Sequence, residues 1–181
     1  NQSRPKTVLM EMFSYIKIFS AAILIAFVLT RCVIVNAETP TSSMENTIMT
    51  GDRVIGNRFA YSFSDPQRFD IIIFRYPDDE RQLFIKRIIG LPGETVEIRD
   101  GKIYLNGSDE PLEDVQTKET MVGSFGPYTV PENSYFVMGD NRNNSSDSRT
   151  DMVGNIKREN IIGKAWLRIW PVSDFGVLQH Q

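Results

Sequence analysis

The sequence has very few of the residues on which several common active sites depend. Its 181 residues include one cysteine, Cys32, and one histidine, His180. A single cysteine cannot close an intramolecular disulfide, and one cysteine with one histidine cannot supply the ligands of a zinc site. His180 lies one residue from the end of the sequence, where chains usually fray, so it is not expected to be catalytic. These absences exclude a Ser-His-Asp triad and a Cys-His dyad, and they leave a Ser-Lys pair as the available serine chemistry.

The sequence also lacks an excess of basic residues. Lysine and arginine together number 20 against 23 aspartates and glutamates, and the net charge is −3. A nucleic-acid partner, whose phosphates are bound by clustered basic side chains, is therefore not expected. With 181 residues, of which 41% are hydrophobic, the chain is long enough for one compact domain and a membrane anchor but not for two full domains.

One long apolar run is present near the start of the sequence. Residues 12–35 read MFSYIKIFSAAILIAFVLTRCVIV, and as a helix they would extend about 36 Å, which is enough to cross a lipid bilayer. Arg4 and Lys6 precede the run, and the positive-inside rule places such residues in the cytoplasm. The sequence therefore predicts a single-pass protein of the cell membrane, with a cytoplasmic tail (1–11), a transmembrane anchor (12–36) and an extracytoplasmic domain (37–181).

A cleaved signal peptide is the alternative interpretation of the same run. Residues 18–30 have the length of a signal-peptide core, and Val35-Asn36-Ala37 resembles a small-residue cleavage site, which would also permit slow self-cleavage after Ala37. Arg31 lies between the core and that site and argues against cleavage. A retained membrane anchor is therefore the prediction.

Short strand patterns dominate the rest of the chain, and no long segment has the period of a helix. Candidate strands are DRVIGN, FDIIIFRY, LFIKRIIG, ETVEIR, KIYLN, SYFVMG and IIGKAWLRIW. Asp100-Gly101 is the signal for a type I′ hairpin, and Leu91-Pro92-Gly93 predicts a tight turn. The pattern predicts a mostly β domain, an antiparallel β-barrel or a sandwich-like fold, after one N-terminal transmembrane helix. Residues 107–130 show no period and are predicted to be a loop or insertion remote from the chemistry.

Two short segments contain the residues of a nucleophilic site. PTSSMENTIMTGD (residues 40–52) carries serines on a polar loop, and FIKRIIGLPGE (residues 84–94) carries Lys86 in an apolar strand. Period-2 alternation places Phe84, Lys86 and Ile88 on one face of that strand. A lysine accepts the proton of a serine only when its pKa is lowered from about 10.4, and burial on an apolar face lowers it. Taken alone, the loop is by default an ordinary Ser/Thr turn and the lysine an ordinary solvated charge, and it is the match to a known family described below that favours a site.

A third polar segment, GDNRNNSSDSR (residues 139–149), follows the apolar strand SYFVM. It is dense in hydroxyl and amide groups and also carries both signs of charge. Asp140, Arg142 and Asn144 suggest the first ligand positions of a calcium loop, but an arginine cannot ligate a cation and the later glutamate of such loops is absent. No metal site is predicted.

Together the three segments resemble the conserved boxes of the type I signal peptidases, the membrane-bound Ser/Lys enzymes that remove signal peptides from exported proteins. The resemblance extends from the apolar run nearly to the end of the chain. It implies a mostly β catalytic domain of coiled sheets. It also implies that no cofactor is needed and that a Ser/Lys dyad acts through an acyl-enzyme.

The resemblance assigns roles to residues of the first two segments. Ser43, directly before a methionine, matches the nucleophile, and Lys86 matches the general base. Thr41 matches the position whose hydroxyl helps to bind the oxyanion, and the Ser43 backbone N–H is the second donor to that oxygen.

In the third segment the resemblance implies supporting roles. Ser145 matches the serine that hydrogen-bonds and orients the base lysine. Asp147 and Arg149 match a structural ion pair, and Gly139 and Asp140 match the start of the same box.

The chain departs from the family pattern at three positions. The family commonly has a small residue such as glycine at position 42, proline at position 46 and aspartate at position 143, whereas this chain has Ser42, Asn46 and Asn143. Ser42 leaves open which of two neighbouring hydroxyls attacks. Asn143 changes the charge around the site rather than the chemistry.

The implied function is a membrane-bound serine endopeptidase that cleaves N-terminal signal peptides from exported preproteins. Ser43 follows Ala37 by six residues and thus lies within about 20 Å of the end of the predicted anchor, so the chemistry occurs near the membrane surface. One alternative is a self-processing Ser/Lys protease of the repressor type, which would carry a DNA-binding segment that the sequence does not show. Another is a catalytically silent, membrane-tethered β module that binds extracellular partners.

Overall fold

The computed structural model describes residues 4–28, 33–114, 117 and 119–180, and it divides the chain into two compact units, residues 1–34 and 35–181. The first unit contains one helix, α1 (Arg4–Val28). Its stretch Met10–Val28 has a mean hydropathy of 1.7 and is long and apolar enough to cross a membrane. Arg31 and Cys32 lie outside the described residues. Residues 34–36, which the sequence places at the end of the anchor, instead begin the first strand.

Apart from a few short 3₁₀ turns, the regular secondary structure of the second unit consists of strands. Their bounds are β1 (Ile34–Glu38), β2 (Arg53–Asn57), β3 (Ile71–Tyr76), β4 (Asp79–Gly90), β5 (Thr95–Arg99), β6 (Lys102–Leu105), β7 (Phe125–Thr129), β8 (Ser134–Met138), β9 (Ile156–Lys157), β10 (Ile161–Trp170) and β11 (Gly176–Val177).

Two antiparallel sheets organise these strands. The larger has the order β1-β2-β10-β3-β4-β8-β9, with β11 beside β10, and the smaller has the order β6-β5-β7. The prediction of a mostly β antiparallel fold with one N-terminal apolar helix is confirmed. Within the part of the chain that the structure describes, the larger sheet is open at β1 and β9 rather than closed into a barrel.

Strand β3 is the centre of the larger sheet and is buried on both faces. Its alternation sends Ile71 and Ile73 into one apolar cluster and Ile72 and Phe74 into another. All four side chains are fully buried. A strand covered on both sides is uniformly apolar, which explains why the sequence III shows no polar alternation.

The hairpin between β5 and β6 has the predicted turn. Asp100 and Gly101 both have positive φ, 50° and 71°, as a type I′ turn requires, and Arg99 pairs with Lys102 across it. This turn fixes the register of the smaller sheet.

The range 107–130 is not simply a loop remote from the chemistry. It contains β7, which pairs with β5, and Gly126 and Pro127 in the middle of this strand explain why no strand pattern was visible. The loop before β7 also contacts the polar segment 139–149, because Asp114 forms an ion pair with Arg142 and Asn143 accepts a hydrogen bond from the backbone N–H of Val122 at 2.8 Å.

His180 does not fray as the sequence suggests. Its ring Nδ1 accepts a hydrogen bond from the Ile71 backbone N–H at 3.0 Å, and its carbonyl accepts one from Arg87 at 2.6 Å. Burial, together with the nearby charge of Lys164, lowers the pKa of His180 to about 4. The segment is held because Leu178, two residues earlier, is buried in the core.

Strand β1 is an integral part of the second unit. Val35 and Ala37 are buried in the cluster that includes Met44 and Val54. Cleavage after Ala37 would cut this strand and remove buried apolar surface from the core. The packing therefore argues against both a cleaved signal peptide and self-cleavage at this position.

Candidate active site

Strand β4 places Lys86 in an apolar environment. Lys86 pairs with Ile72 of β3, and the side chains of Phe84 and Ile88, on the same face, belong to the apolar cluster that includes Ile72. The ammonium lies 5.5 Å from the centre of the Phe84 ring. Only 4% of the Lys86 surface is exposed. The predicted alternation of this strand is thus observed, and it buries the amine.

Ser43 lies on a short 3₁₀ turn, Ser42–Met44, between β1 and β2. Met44 and Ile48 are fully buried and fix this turn to the core. The Ser43 side chain consequently points inward, and its Oγ is 2.7 Å from Lys86 Nζ. The Thr41 hydroxyl is 3.3 Å from the same Oγ. The structure thus brings together the predicted nucleophile, its base and the predicted oxyanion donor.

Burial lowers the pKa of Lys86 to about 8, against the opposing effects of the nearby Asp147 and Asp140 charges, which raise it. At that pKa a substantial fraction of the amine is neutral in mildly alkaline solution. The neutral amine can accept the Ser43 proton over the existing 2.7 Å contact. The Ile85 carbonyl accepts a second hydrogen bond from Nζ at 3.1 Å and helps to orient it.

The two neighbouring serines have different surroundings. The Ser42 hydroxyl accepts a hydrogen bond from the Asn144 side chain at 2.8 Å and is not hydrogen-bonded to Lys86. Ser43 is the serine within hydrogen-bonding distance of the amine. The geometry therefore favours Ser43 over Ser42 as the nucleophile.

The segment 139–149 follows β8 and packs against the Ser43 turn. Gly139 allows the close approach, because a Cβ at this position would lie 2.3 Å from both the Ser43 carbonyl oxygen and Ser145 Oγ. Asp147 is fully buried, accepts a hydrogen bond from the Gly139 backbone N–H at 3.1 Å and forms an ion pair with Arg149 at 2.8 Å. These contacts join the two ends of the segment.

Ser145 is near the dyad but is not hydrogen-bonded to Lys86. Its Oγ is buried and has no hydrogen-bond partner among the described residues. The predicted role of Ser145 in orienting the amine remains a prediction. A buried hydroxyl without a partner is unfavourable, so it is available for a bond that forms when a substrate or water enters.

The structure also shows a buried ion pair that the sequence did not reveal. Arg87 points away from Lys86 on the opposite face of β4, is fully buried, and donates two hydrogen bonds to Asp140 at 2.8 and 2.7 Å. Asp140 also accepts a hydrogen bond from the Thr47 hydroxyl at 2.5 Å. The sequence did contain one indication of this pair: Arg87 lies between Ile85 and Ile89 on one face of the strand. A guanidinium buried on such an apolar face needs an anionic partner.

A cleft of about 760 Å³ leads to the dyad. Its walls come from three parts of the chain, residues 36–44, 82–86 and 143–146. Strand β1 is an edge strand, and β4 pairs with β8 only from Arg87 onward, so both strands line this cleft with backbone that no described strand pairs. No group of three or more metal-ligating side chains is found among the described residues. The arrangement suits an extended peptide whose carbonyl reaches Ser43.

Known proteins are similar to this chain over most of its length. Residues 12–170 match the family described as "Signal peptidase, peptidase S26". The chain is 42% identical over 146 residues to signal peptidase I of Leptolyngbya laminosa, covering 77% of this chain and 70% of that one. It is 40% identical over 144 residues to probable signal peptidase I-2 of Synechocystis sp., covering 77% of this chain and 64% of that one.

A solved structure is also similar. It is a signal peptidase I from Enterococcus faecalis V583, with 40% identity, a TM-score of 0.48 and coverage of 56% of this chain and 97% of that chain.

The first prediction concerns the amine of Lys86. The rate at which a fluorophosphonate labels Ser43 should rise with pH through about 8, because the neutral amine accepts the hydroxyl proton. Lys86→Arg should abolish labelling, since a guanidinium stays protonated. Lys86→Met should also abolish it, yet should raise the free energy of unfolding at pH 7 by roughly 2 kcal/mol.

The sign of the stability effect follows from the lowered pKa. The folded protein disfavours the charged amine, and this penalty is complete below pH 8 and disappears as the pH rises towards the unfolded value of 10.5. Chemical denaturation of the full chain in detergent at pH 7 and pH 10 should therefore show a smaller difference between wild type and Lys86→Met at pH 10. Labelling of Lys86→Arg at the wild-type rate would contradict the assignment of the base.

Proposed function

The chain belongs to the signal peptidase family, peptidase S26, and is a serine peptidase of the signal peptidase I type; we propose that its Ser43/Lys86 dyad cleaves N-terminal signal peptides from exported preproteins through an acyl-enzyme. The observation that carries this mechanism is the 2.7 Å contact between Ser43 Oγ and a buried lysine amine at the base of an open cleft. Both residues stand in segments that the family match includes.

The proposed reaction begins when neutral Lys86 accepts the Ser43 proton. Oγ adds to the scissile carbonyl carbon, and the carbonyl oxygen becomes an oxyanion that accepts hydrogen bonds from the Ser43 backbone N–H and the Thr41 hydroxyl. The Lys86 ammonium then protonates the departing amine of the mature protein. A water molecule, deprotonated by the same lysine, hydrolyses the resulting ester and releases the signal peptide.

The cleft supports an extended substrate. The unpaired edges of β1 and of the first half of β4 both carry backbone donors and acceptors, and an extended peptide can pair with such edges. Apolar side chains among the lining residues, such as Leu83 and Ile85, would lie beside the substrate side chains. The backbone would supply general affinity, and the wall residues would supply selectivity.

The apolar helix supports an attachment to the membrane. Its stretch Met10–Val28 can cross a bilayer by length and composition. Arg4 and Lys6 precede that stretch, so the positive-inside rule places this end in the cytoplasm and the β domain outside. A preprotein whose apolar segment is still in the bilayer would then expose its cleavage site on the same side of the membrane as the peptidase domain.

The second prediction tests the reaction itself. Incubation of the full chain in detergent with an exported preprotein should produce one new N-terminus, located by sequencing directly after the signal peptide. Ser43→Ala should abolish the cleavage because no other hydroxyl of the described residues is hydrogen-bonded to Lys86, while Ser42→Ala, its matched control, should retain most of it. Full activity of Ser43→Ala together with loss of activity in Ser42→Ala would show that Ser42, and not Ser43, is the nucleophile. Absence of cleavage by the wild-type protein would contradict the proposed function.

The third prediction concerns specificity. Substrates with small uncharged residues at positions −1 and −3 should be cleaved at least about 100-fold faster than those with Leu or Phe there, because a shallow apolar site excludes large side chains by overlap. The kcat/KM values of a substrate series that differs only at −1 measure this preference. Equal values for Ala and Phe would refute it.

The fourth prediction concerns topology. Protease added to spheroplasts should digest the β domain and leave the segment that contains Arg4 and Lys6 intact, because the bilayer would protect it. Antibodies against a tag at each end identify the fragments. Protection of the β domain in sealed spheroplasts, with digestion only after lysis, would invert the proposed orientation.

A further inference from the structure

Two asparagines of the segment 139–149 hold the residue that precedes the proposed nucleophile. The Asn141 side chain donates a hydrogen bond to the Ser42 carbonyl at 3.1 Å, and the Asn144 side chain donates one to the Ser42 hydroxyl at 2.8 Å. The backbone N–H of Asn141 also donates to the Ser43 carbonyl at 3.1 Å. The two amides thus contact the same residue but at chemically different atoms.

We propose that Asn141 is a positioning residue for the oxyanion donor of this enzyme, which deepens the proposed function and rests on it. The Ser42 carbonyl and the Ser43 N–H belong to one planar, trans peptide unit and point in opposite directions. A donor that fixes the carbonyl on one side therefore fixes the N–H on the other. Asn141 is that donor, and the N–H it orients is the one assigned to the oxyanion.

The contacts around this peptide unit make the orientation specific. The Ser42 carbonyl accepts a second hydrogen bond from the Glu45 backbone N–H at 3.0 Å, so it is held from two directions. The Asn141 backbone bond to the Ser43 carbonyl fixes the following peptide unit as well. No turn or loop hydrogen bond of the described residues uses the Ser43 N–H as its donor, which leaves it free for the substrate.

Electrostatics gives Asn141 a second effect on the same N–H. A hydrogen bond to a peptide carbonyl polarises the whole unit and strengthens the donor at its other end. This matters most when the substrate oxygen carries a full negative charge, so the contribution of Asn141 should be larger in the transition state than in the bound substrate. The Asn144 side chain donates to the Ser42 hydroxyl and not to this peptide unit, so it has no such effect.

The test compares Asn141→Ala with Asn144→Ala in the full chain in detergent. Loss of a direct oxyanion donor costs about 10²–10³ in kcat, and an indirect one should cost less. Asn141→Ala should therefore lower kcat about 10- to 100-fold, with KM changed less than about threefold. Asn144→Ala is the comparison for kcat alone: Asn144 lines the cleft, so KM can change, but kcat should stay within about threefold of wild type because the Ser42 carbonyl keeps its donor.

A transition-state analogue separates positioning from a general loss of structure. A peptide aldehyde reacts with Ser43 by forming an Oγ–C bond, while the hydroxyl proton passes to Lys86 and the aldehyde oxygen becomes an oxyanion. Asn141→Ala should weaken inhibition by this aldehyde by about the same factor as kcat. It should leave inhibition by the corresponding peptide alcohol, which forms no oxyanion, unchanged, and the pH profile should still rise through about 8, since the base is untouched.

The outcomes distinguish this inference from the proposed function. Equal kcat and aldehyde affinity in wild type and Asn141→Ala would overturn the positioning role, and so would equal losses in both asparagine variants. If Asn141→Ala does not fold, Asn141→Asp keeps the shape but replaces the donor with an acceptor, and it should lose at least as much kcat. Retained wild-type kcat in that variant would also overturn the inference. Full activity of Ser43→Ala, by contrast, would contradict the dyad and not the asparagine.

Discussion

The burial of two adjacent cations on opposite faces of β4 is the constraint on which the rest of the site depends. Because side chains alternate along a strand, Lys86 and Arg87 enter two separate apolar environments. An arginine cannot release its proton, so it must be paired, and Asp140 pairs it with two hydrogen bonds. A lysine can respond by a lower pKa, and Lys86 does so. Strand β4 thus carries the permanently charged Arg87, which is paired with Asp140, and Lys86, which can lose its charge and has no ion-pair partner among the described residues.

The paired cation connects the parts of the chain that form the site. Arg87 and Thr47 share Asp140, which links β4 both to the segment 139–149 and to the loop that carries Ser43. The other nitrogen atom of the Arg87 guanidinium donates to the carbonyls of Phe69 and His180. Four separate stretches therefore converge on one side chain behind the dyad. Loss of Asp140 would leave a buried guanidinium unpaired, which is typically far more costly than loss of a surface ion pair.

The sequence predicted those features that depend on local pattern. Strands with clear alternation, the Asp100-Gly101 turn and the burial of Lys86 all follow from periodicity or from the φ preference of particular residues, and the structure contains them. The family, and with it the fold class, was predicted from the amino-acid sequences of three short segments, and the comparisons with known proteins confirm the family.

What the sequence did not predict depends on contacts between distant residues. The two-residue strands β9 and β11 are too short to show a period, and β7 carries a glycine and a proline. The order of His180 comes from Leu178 in the core and from hydrogen bonds to Ile71 and Arg87, none of which is adjacent in sequence. The hydrogen bonds of Asn141 and Asn144 likewise connect residues about a hundred positions apart.

Several unfavourable features of this fold lie in its cleft. Among the described residues, the amine of Lys86 forms no ion pair, the hydroxyls of Ser145 and Thr39 are buried without hydrogen bonds, and β1 and the first half of β4 each have an edge without a partner strand. A bound extended peptide would stabilise these features. Its backbone can pair with the strand edges, and its polar groups can form hydrogen bonds with the buried hydroxyls. Elsewhere in the core, polar groups such as Arg87 and Asp147 are paired. Buried polar atoms without hydrogen bonds also occur among the described residues away from the cleft, at Asp114, Arg142, Asn155 and Arg168. What distinguishes the cleft is therefore the combination of a lysine with a lowered pKa, strand edges without a described partner and a buried hydroxyl without a hydrogen bond around one serine, the kind of cluster that favours a functional site.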